Sequence, residues 1–158
     1  MVAKITTPKR MIAALNYNEN KVSQGKAKCL AASGYLKETN EMNFYQKLEG
    51  LVRFHELNEA QTKTLHVSLN FSPSEKLSDE KLIAIAGEYM NRIGFGEQPF
   101  LIYKHLDAGH PHIHVVSSTI RSDGKRINTH NIGRNQSEKA RKEIEQKYSL
   151  VPAENKKK

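Results

Sequence analysis

The segment His105–Val116 reads HLDAGHPHIHVV and holds four of the chain's seven histidines. Neutral imidazole is the commonest side-chain metal ligand. His112 and His114 stand two apart in an apolar, β-branched stretch. On a strand both project from one face, while Ile113 and Val115 project from the other. His105 closes the preceding apolar stretch, Phe100 to Lys104, and Asp107-Ala108-Gly109 is a turn signal between the two. A hairpin there brings His105 beside the pair. Three imidazoles on two adjacent strands suit a divalent ion. Three donors without a fourth leave positions open for water or substrate, as in catalytic sites. Asp107 is placed to fix a histidine tautomer by accepting its outer N–H. His66 and Asn70 share the polar face of another strand and can join the same site. His110 precedes Pro111 in the turn and is ambiguous as a ligand. His55 and His130 read as surface or packing residues.

The elements that would hold this site are mostly visible. Leu65, Val67, Leu69 and Phe71 alternate with His66, Ser68, Asn70 and Ser72, which predicts a half-buried strand over residues 64–72. Phe100 to Lys104 and His112 to Ile120 are two more strands. Ser78 caps a helix with Asp79 and Glu80 in its first turn. Its stripe is Leu82, Ile83, Ile85, Ala86, Tyr89, Met90 and Ile93, and Gly94 and Gly96 end it. Another helix begins near Asn40, with Phe44, Tyr45, Leu48, Leu51 and Val52 on its apolar face. Thr7-Pro8 opens a short helix with Met11, Ile12 and Leu15, fraying near Asn16-Tyr17-Asn18. Residues 19–40 are mixed. Asp123-Gly124 is a turn, with a short strand around Lys125 to Asn128. Ser137 starts a last helix with Ala140, Ile144 and Tyr148, and Pro152 to Lys158 is expected to be disordered. The order predicts an α+β fold, a central antiparallel sheet with helices packed mainly on one face.

Composition narrows the class. The 158 residues fit one domain. A single cysteine, Cys29, excludes an internal disulfide and a cysteine-rich zinc site; it reads as a small buried hydrophobe. No apolar run is long enough to span a membrane, and a cytoplasmic protein is expected. The net charge of +8 is uneven. Residues 1–37 carry seven basic residues against one acid, and residues 121–158 eleven against five. The middle carries seven against eleven. Two basic ends folded onto one side would suit a polyanion.

The full pattern His105-x-Asp107-x-x-His110-x-His112-x-His114 resembles the third motif of plasmid mobilisation relaxases. Ala14-Leu15-Asn16-Tyr17-Asn18-Glu19 resembles their first motif, which carries a nucleophilic tyrosine. Leu65 to Phe71 is similar to the strand between them. The likeness covers about residues 1–150, read as a catalytic domain, with 151–158 as a disordered basic tail. It points in particular to the MobA/VirD2-like mobilisation proteins of Bacteroides-type elements. Such relaxases are usually longer, so the chain can be the catalytic piece of a larger protein.

The resemblance implies an HUH (His-hydrophobe-His) endonuclease with a central antiparallel sheet. Such an enzyme nicks one strand at an origin of transfer and forms a 5′-phosphotyrosine intermediate. It implies Tyr17 as nucleophile, His105, His112 and His114 as metal ligands, and Asp107 as a supporting acid. It implies a divalent ion, manganese or magnesium, with nickel or zinc as substitutes. Its partners would be single-stranded DNA, accessory mobilisation proteins and a coupling protein, with no membrane insertion. A tyrosine hydroxyl needs activation to attack phosphorus, and a metal can polarise the phosphate oxygens. Tyr35 is the competing nucleophile. Tyr45, Tyr89 and Tyr148 read as core, and Tyr103 as packing near the site. Lys9 and Arg10 on one side, and Arg121, Lys125, Arg126, Arg134 and Arg141 on the other, are candidate DNA-phosphate contacts.

Three other classes compete. A replication initiator or transposase of the same superfamily often has only two histidines and a different third ligand, which His105 argues against. A metal-dependent hydrolase would activate water and would not need Tyr17. A basic accessory protein with a structural metal would bind DNA without cutting it.

Overall fold

The three strands with the strongest apolar pattern form the middle of the sheet. The computed structural model describes residues 1–153. Its five strands are β1 (Val2–Thr6), β2 (Ala27–Ser33), β3 (Thr64–Asn70), β4 (Phe100–His105) and β5 (His112–Ser118). They form one sheet in the order β1-β3-β5-β4-β2, every pair antiparallel. The helices are α1 (Met11–Ser23), α2 (Phe44–Val52), α3 (Asp79–Arg92) and α4 (Glu138–Lys147). The chain is therefore α+β with a central antiparallel sheet.

The helices are shared between the two faces rather than gathered mainly on one. Leu65, Val67, Leu69, Ile113, Val115 and Ile102 pack against Leu82, Ile85 and Tyr89 of α3 and Ile144 of α4. On the other face Leu101, Tyr103 and Val116 pack against Met11, Ala14 and Leu15 of α1 and Leu51 of α2. That second face is the one with the histidines. Strand alternation dictates this split, because His112 and His114 share a face with Val116, not with Ile113 and Val115. The histidine face therefore has an apolar half under two helices and a polar half along β1 and β3.

Both edge strands lie outside the elements expected from the pattern. β2, within the stretch read as mixed, has the sequence AKCLAAS, poor in β-branched residues, and only one of its flanks pairs. β1 is short and carries Lys4 and Thr6 exposed, which suits an edge that must not recruit further strands. Helix α1 starts three residues later than Thr7-Pro8 suggests and does not fray at Asn16–Asn18. Arg10 is its extended cap residue, and burial of Met11, Ala14, Leu15 and Asn18 holds it through Ser23. Tertiary packing overrides the weak helix propensity of its asparagines. After the Asp123-Gly124 turn there is only one isolated bridge, Ile120 with Arg126, instead of a strand. A π-type turn, Gly133–Ser137, precedes α4. Of the tail expected to be disordered, Val151 and Ala153 donate their backbone N–H groups to Glu75 and Glu145; residues 154–158 lie outside the described residues.

Candidate active site

Register brings the histidines together. In the β4–β5 hairpin His105 stands directly opposite His112, and Tyr103 opposite His114. Across the other flank of β5, Ser68 faces His114 and Asn70 faces His112. One ring nitrogen from each of His105, His112 and His114 lies within 4.8 Å of the others. The rings of His105 and His114 stack with centroids 3.8 Å apart, and His112 lies 5.1 and 5.3 Å from the two.

Burial makes these imidazoles neutral. It pushes His105 down to about 4 and His114 to about 2, each helped by its histidine neighbours. His112 and His66 are lowered by the same cause. A neutral imidazole is what a metal ion requires. The donor set fits a divalent ion on a further observation. His105 Nδ1 is buried and without a hydrogen-bond partner among the described residues. An unpaired buried nitrogen is costly unless something is meant to meet it.

Helix α1 lays Tyr17 over the cluster. The Tyr17 ring centroid is 5.9 Å from those of His105 and His114 and 6.1 Å from that of His66. The tyrosine remains 46% exposed, so a substrate can reach it. Lys21 lies one turn further along, its ammonium 5.3 Å from the centre of the Tyr17 ring. That ammonium pairs with Asp107 at 2.5 Å and holds its carboxyl below the usual range. Asp107 thus bridges the β4–β5 turn to α1. The expectation that it orients a histidine does not match this geometry, because Lys21 takes the carboxylate and the histidines' outer nitrogens go elsewhere. His105 Nε2 meets Asn18 Oδ1 at 2.7 Å, His112 Nδ1 the His110 carbonyl at 3.5 Å, and His114 Nδ1 the His66 Nε2 at 3.1 Å.

Asn18 and Lys21 are the residues that sequence reasoning missed. Asn18 carried a signal in retrospect, as a polar residue of low helix propensity on the buried side of α1. His66 joins the site as anticipated, as a neighbour of His114. His110 meets Asn70 at 3.3 Å and lies beside, not within, the triad.

The other tyrosines lie elsewhere. Tyr35 donates its hydroxyl to the Lys47 carbonyl on α2, and burial pushes its pKa up. Tyr103 is buried on β4 and donates to Glu19. Tyr89 is core, but Tyr45 is 75% exposed and not a core residue. Cys29 is half-buried and pushed up to about 11 by burial, an unreactive thiol.

The basic candidates divide. Lys9 and Arg10 are exposed just ahead of α1. Arg121 and Lys125 are exposed in the turn beyond Ser118, the end of β5 away from His112. The Arg126 guanidinium is engaged by Thr62, the Ile127 carbonyl and Thr129, so it holds its own loop together. Arg134 is exposed in the turn whose Ile132 and Ser137 pack on the face opposite the histidines. Arg141 is buried between Glu138 and Glu145 and braces α4.

A histidine-lined antiparallel sheet faced by a tyrosine-bearing helix defines a candidate metal centre with an exposed tyrosine beside it. The family model described as relaxase, MobA/VirD2-like, nuclease domain, matches residues 17–150. The chain belongs to that family, whose nuclease domains are metal-dependent DNA-nicking domains of mobilisation. No curated protein matches the chain. No helix among the described residues is long and apolar enough to cross a membrane.

Proposed function

We propose that this relaxase domain cleaves one DNA strand at a transfer origin by tyrosine transesterification. The observation that carries the reading is the approach of Tyr17 to two of three clustered imidazoles, at 5.9 Å from each ring. The Tyr17 oxygen attacks the scissile phosphorus as the bond to the 3′ oxygen breaks. The tyrosine gives up its proton, and the departing 3′ oxygen takes one up. The 5′ phosphate stays on Tyr17, so the bond energy is kept for rejoining.

His105, His112 and His114 would hold a divalent ion, manganese or magnesium, which supplies Lewis-acid polarisation of the non-bridging phosphate oxygens. The chain's own groups position and neutralise. Lys21, steadied by Asp107, sets a positive charge beside the Tyr17 ring where negative charge develops. Lys9 and Arg10 hold phosphates on one side of Tyr17. Arg121, Lys125 and Arg134 are too far along or around the fold to touch the reacting phosphate, and serve flanking DNA. The occupant of the site is single-stranded DNA, the substrate that the relaxase nuclease domain implies. Accessory mobilisation proteins and a coupling protein complete the process.

The test is cleavage of single-stranded oligonucleotides spanning candidate origins, with manganese and with chelator. Metal-dependent cutting should leave one product that a polymerase extends, because its 3′ end is a hydroxyl, and one product retained by protein. Two protein-free products would assign the attack to water and overturn the reading.

A further inference from the structure

Helix α1 is fastened unevenly. Its buried apolar residues, Met11, Ala14 and Leu15, all lie in its first half. Past Leu15 it buries only Asn18, with Val22 partly buried. Tyr17 therefore stands on a stretch that apolar packing alone holds loosely.

A charged contact grips that stretch. Glu19 Oε2 accepts from the Lys47 ammonium of α2 at 3.0 Å and from the Tyr103 hydroxyl of β4 at 2.5 Å. The Lys47 side chain is 8% exposed and that of Glu19 18%, so both charges are largely out of water. The Lys47 carbonyl in turn accepts from the Tyr35 hydroxyl. Tyr103 stands directly opposite His114 across the β4–β5 hairpin. One carboxylate thus ties α1 both to α2 and to the strand pair that bears the histidines.

A desolvated ion pair is a poor source of stability, because apolar groups of similar volume often do as well. What it adds is direction. Tyr17 and Glu19 are two residues apart on a helix of about 3.6 residues per turn, so they project to nearly opposite sides of its axis. A roll of α1 that lifts one lowers the other. Holding Glu19 therefore sets the roll, and with it the Tyr17 ring 5.9 Å from those of His105 and His114.

Resting on the reading of Tyr17 as the nucleophile, we infer that Glu19 is a positioning residue: gripped by Lys47 and Tyr103, it sets the rotation of α1 that lays Tyr17 over the histidines.

The test compares the full chain with its Glu19→Leu/Lys47→Met/Tyr103→Phe variant, which replaces all three polar groups and leaves no charge buried without a partner. Proton NMR of the metal-free samples reads the contacts between the Tyr17 ring and the His105 and His114 rings, with Tyr17→Phe to assign the tyrosine signals. The parent should show these contacts, and the variant should stay folded and lose them. With manganese and oligonucleotides spanning candidate origins, single-turnover cutting by the variant should slow on the order of 10²-fold at unchanged oligonucleotide affinity. A purely structural role would move the urea midpoint and leave the ring contacts in place. A parent without the contacts overturns the inference, as does a folded variant that keeps either the contacts or the parent's rate. If the triple variant does not fold, Tyr103→Phe, which removes one hydroxyl, decides: weakened ring contacts sustain the inference and unchanged ones overturn it. The ring contacts are read without cleavage, so the two readings separate. A parent that cuts beside a variant that cuts equally well removes the role of Glu19 and leaves the nuclease. Ring contacts that depend on Glu19 in a parent that leaves no protein-linked product keep the placement and remove the transesterification.

Discussion

Lowering the pH of the metal-free protein should destabilise it well before its carboxylates titrate. The cause is the histidine cluster. In the unfolded chain each imidazole titrates near its ordinary value of 6.5, but in the fold burial holds His105 near 4 and His114 near 2. Between those values the unfolded state binds more protons, so stability is full above pH 6.5 and falls as pH drops through the window. Each such group contributes about 1.4 kcal/mol per pH unit. From pH 6.5 to 5 that is about 2 kcal/mol for His105 and a similar amount for His114. Their rings stack at 3.8 Å, so they titrate as a pair and the second proton is harder to add than the first. A loss of about 4 kcal/mol is a large part of a domain's typical 5–15 kcal/mol. Urea unfolding in chelator at pH 7, 6 and 5 measures it through the midpoint at constant slope. His114→Leu should be nearly flat over the part of the window that His114 supplies. A parent midpoint that does not move between pH 7 and 5 would refute the claim that the cluster is buried and neutral.

Four further outcomes are expected. Lys21→Met should slow cleavage on the order of 10²-fold while changing stability by less than about 1 kcal/mol, because the ion pair with Asp107 is partly exposed; equal losses of both would mean a structural role. Leu15→Ala, fully buried between α1 and the sheet, should cost about 2–5 kcal/mol in urea unfolding and lower cleavage as α1 loosens. Lys9→Ala should weaken single-strand binding and reduce the salt slope by about 0.7, measured by fluorescence anisotropy at several salt concentrations. Arg126→Ala should instead lower the melting temperature and leave that slope unchanged, because its guanidinium serves the loop at Thr62 and Thr129.

The centre of the sheet and the clustering of the three histidines were legible because β3 and β5 alternate cleanly and the hairpin turn fixes where His105 lands. β1 and β2 were not, since an edge strand needs only one apolar face and one pairing flank, and AKCLAAS has little of either signal. The site's supporting contacts were illegible for a different reason. Lys21 and Asp107 are 86 residues apart, and nothing local says that α1 crosses to the β4–β5 turn. Asn18 looked like a helix-fraying residue until its burial against His105 was visible. The basic residues were legible as charge but not as position: Arg126 and Arg141 look like DNA contacts in sequence and are braces in the fold.

Trapping the covalent intermediate tests the central claim most directly. The protein would be incubated with manganese and single-stranded oligonucleotides covering candidate transfer origins, digested, and searched by mass spectrometry for a nucleotide-linked peptide. The account predicts an adduct on the peptide containing Tyr17, lost in Tyr17→Phe and in chelator and retained in Tyr35→Phe. Metal-dependent cleavage with no adduct, or an adduct that survives Tyr17→Phe, would contradict it.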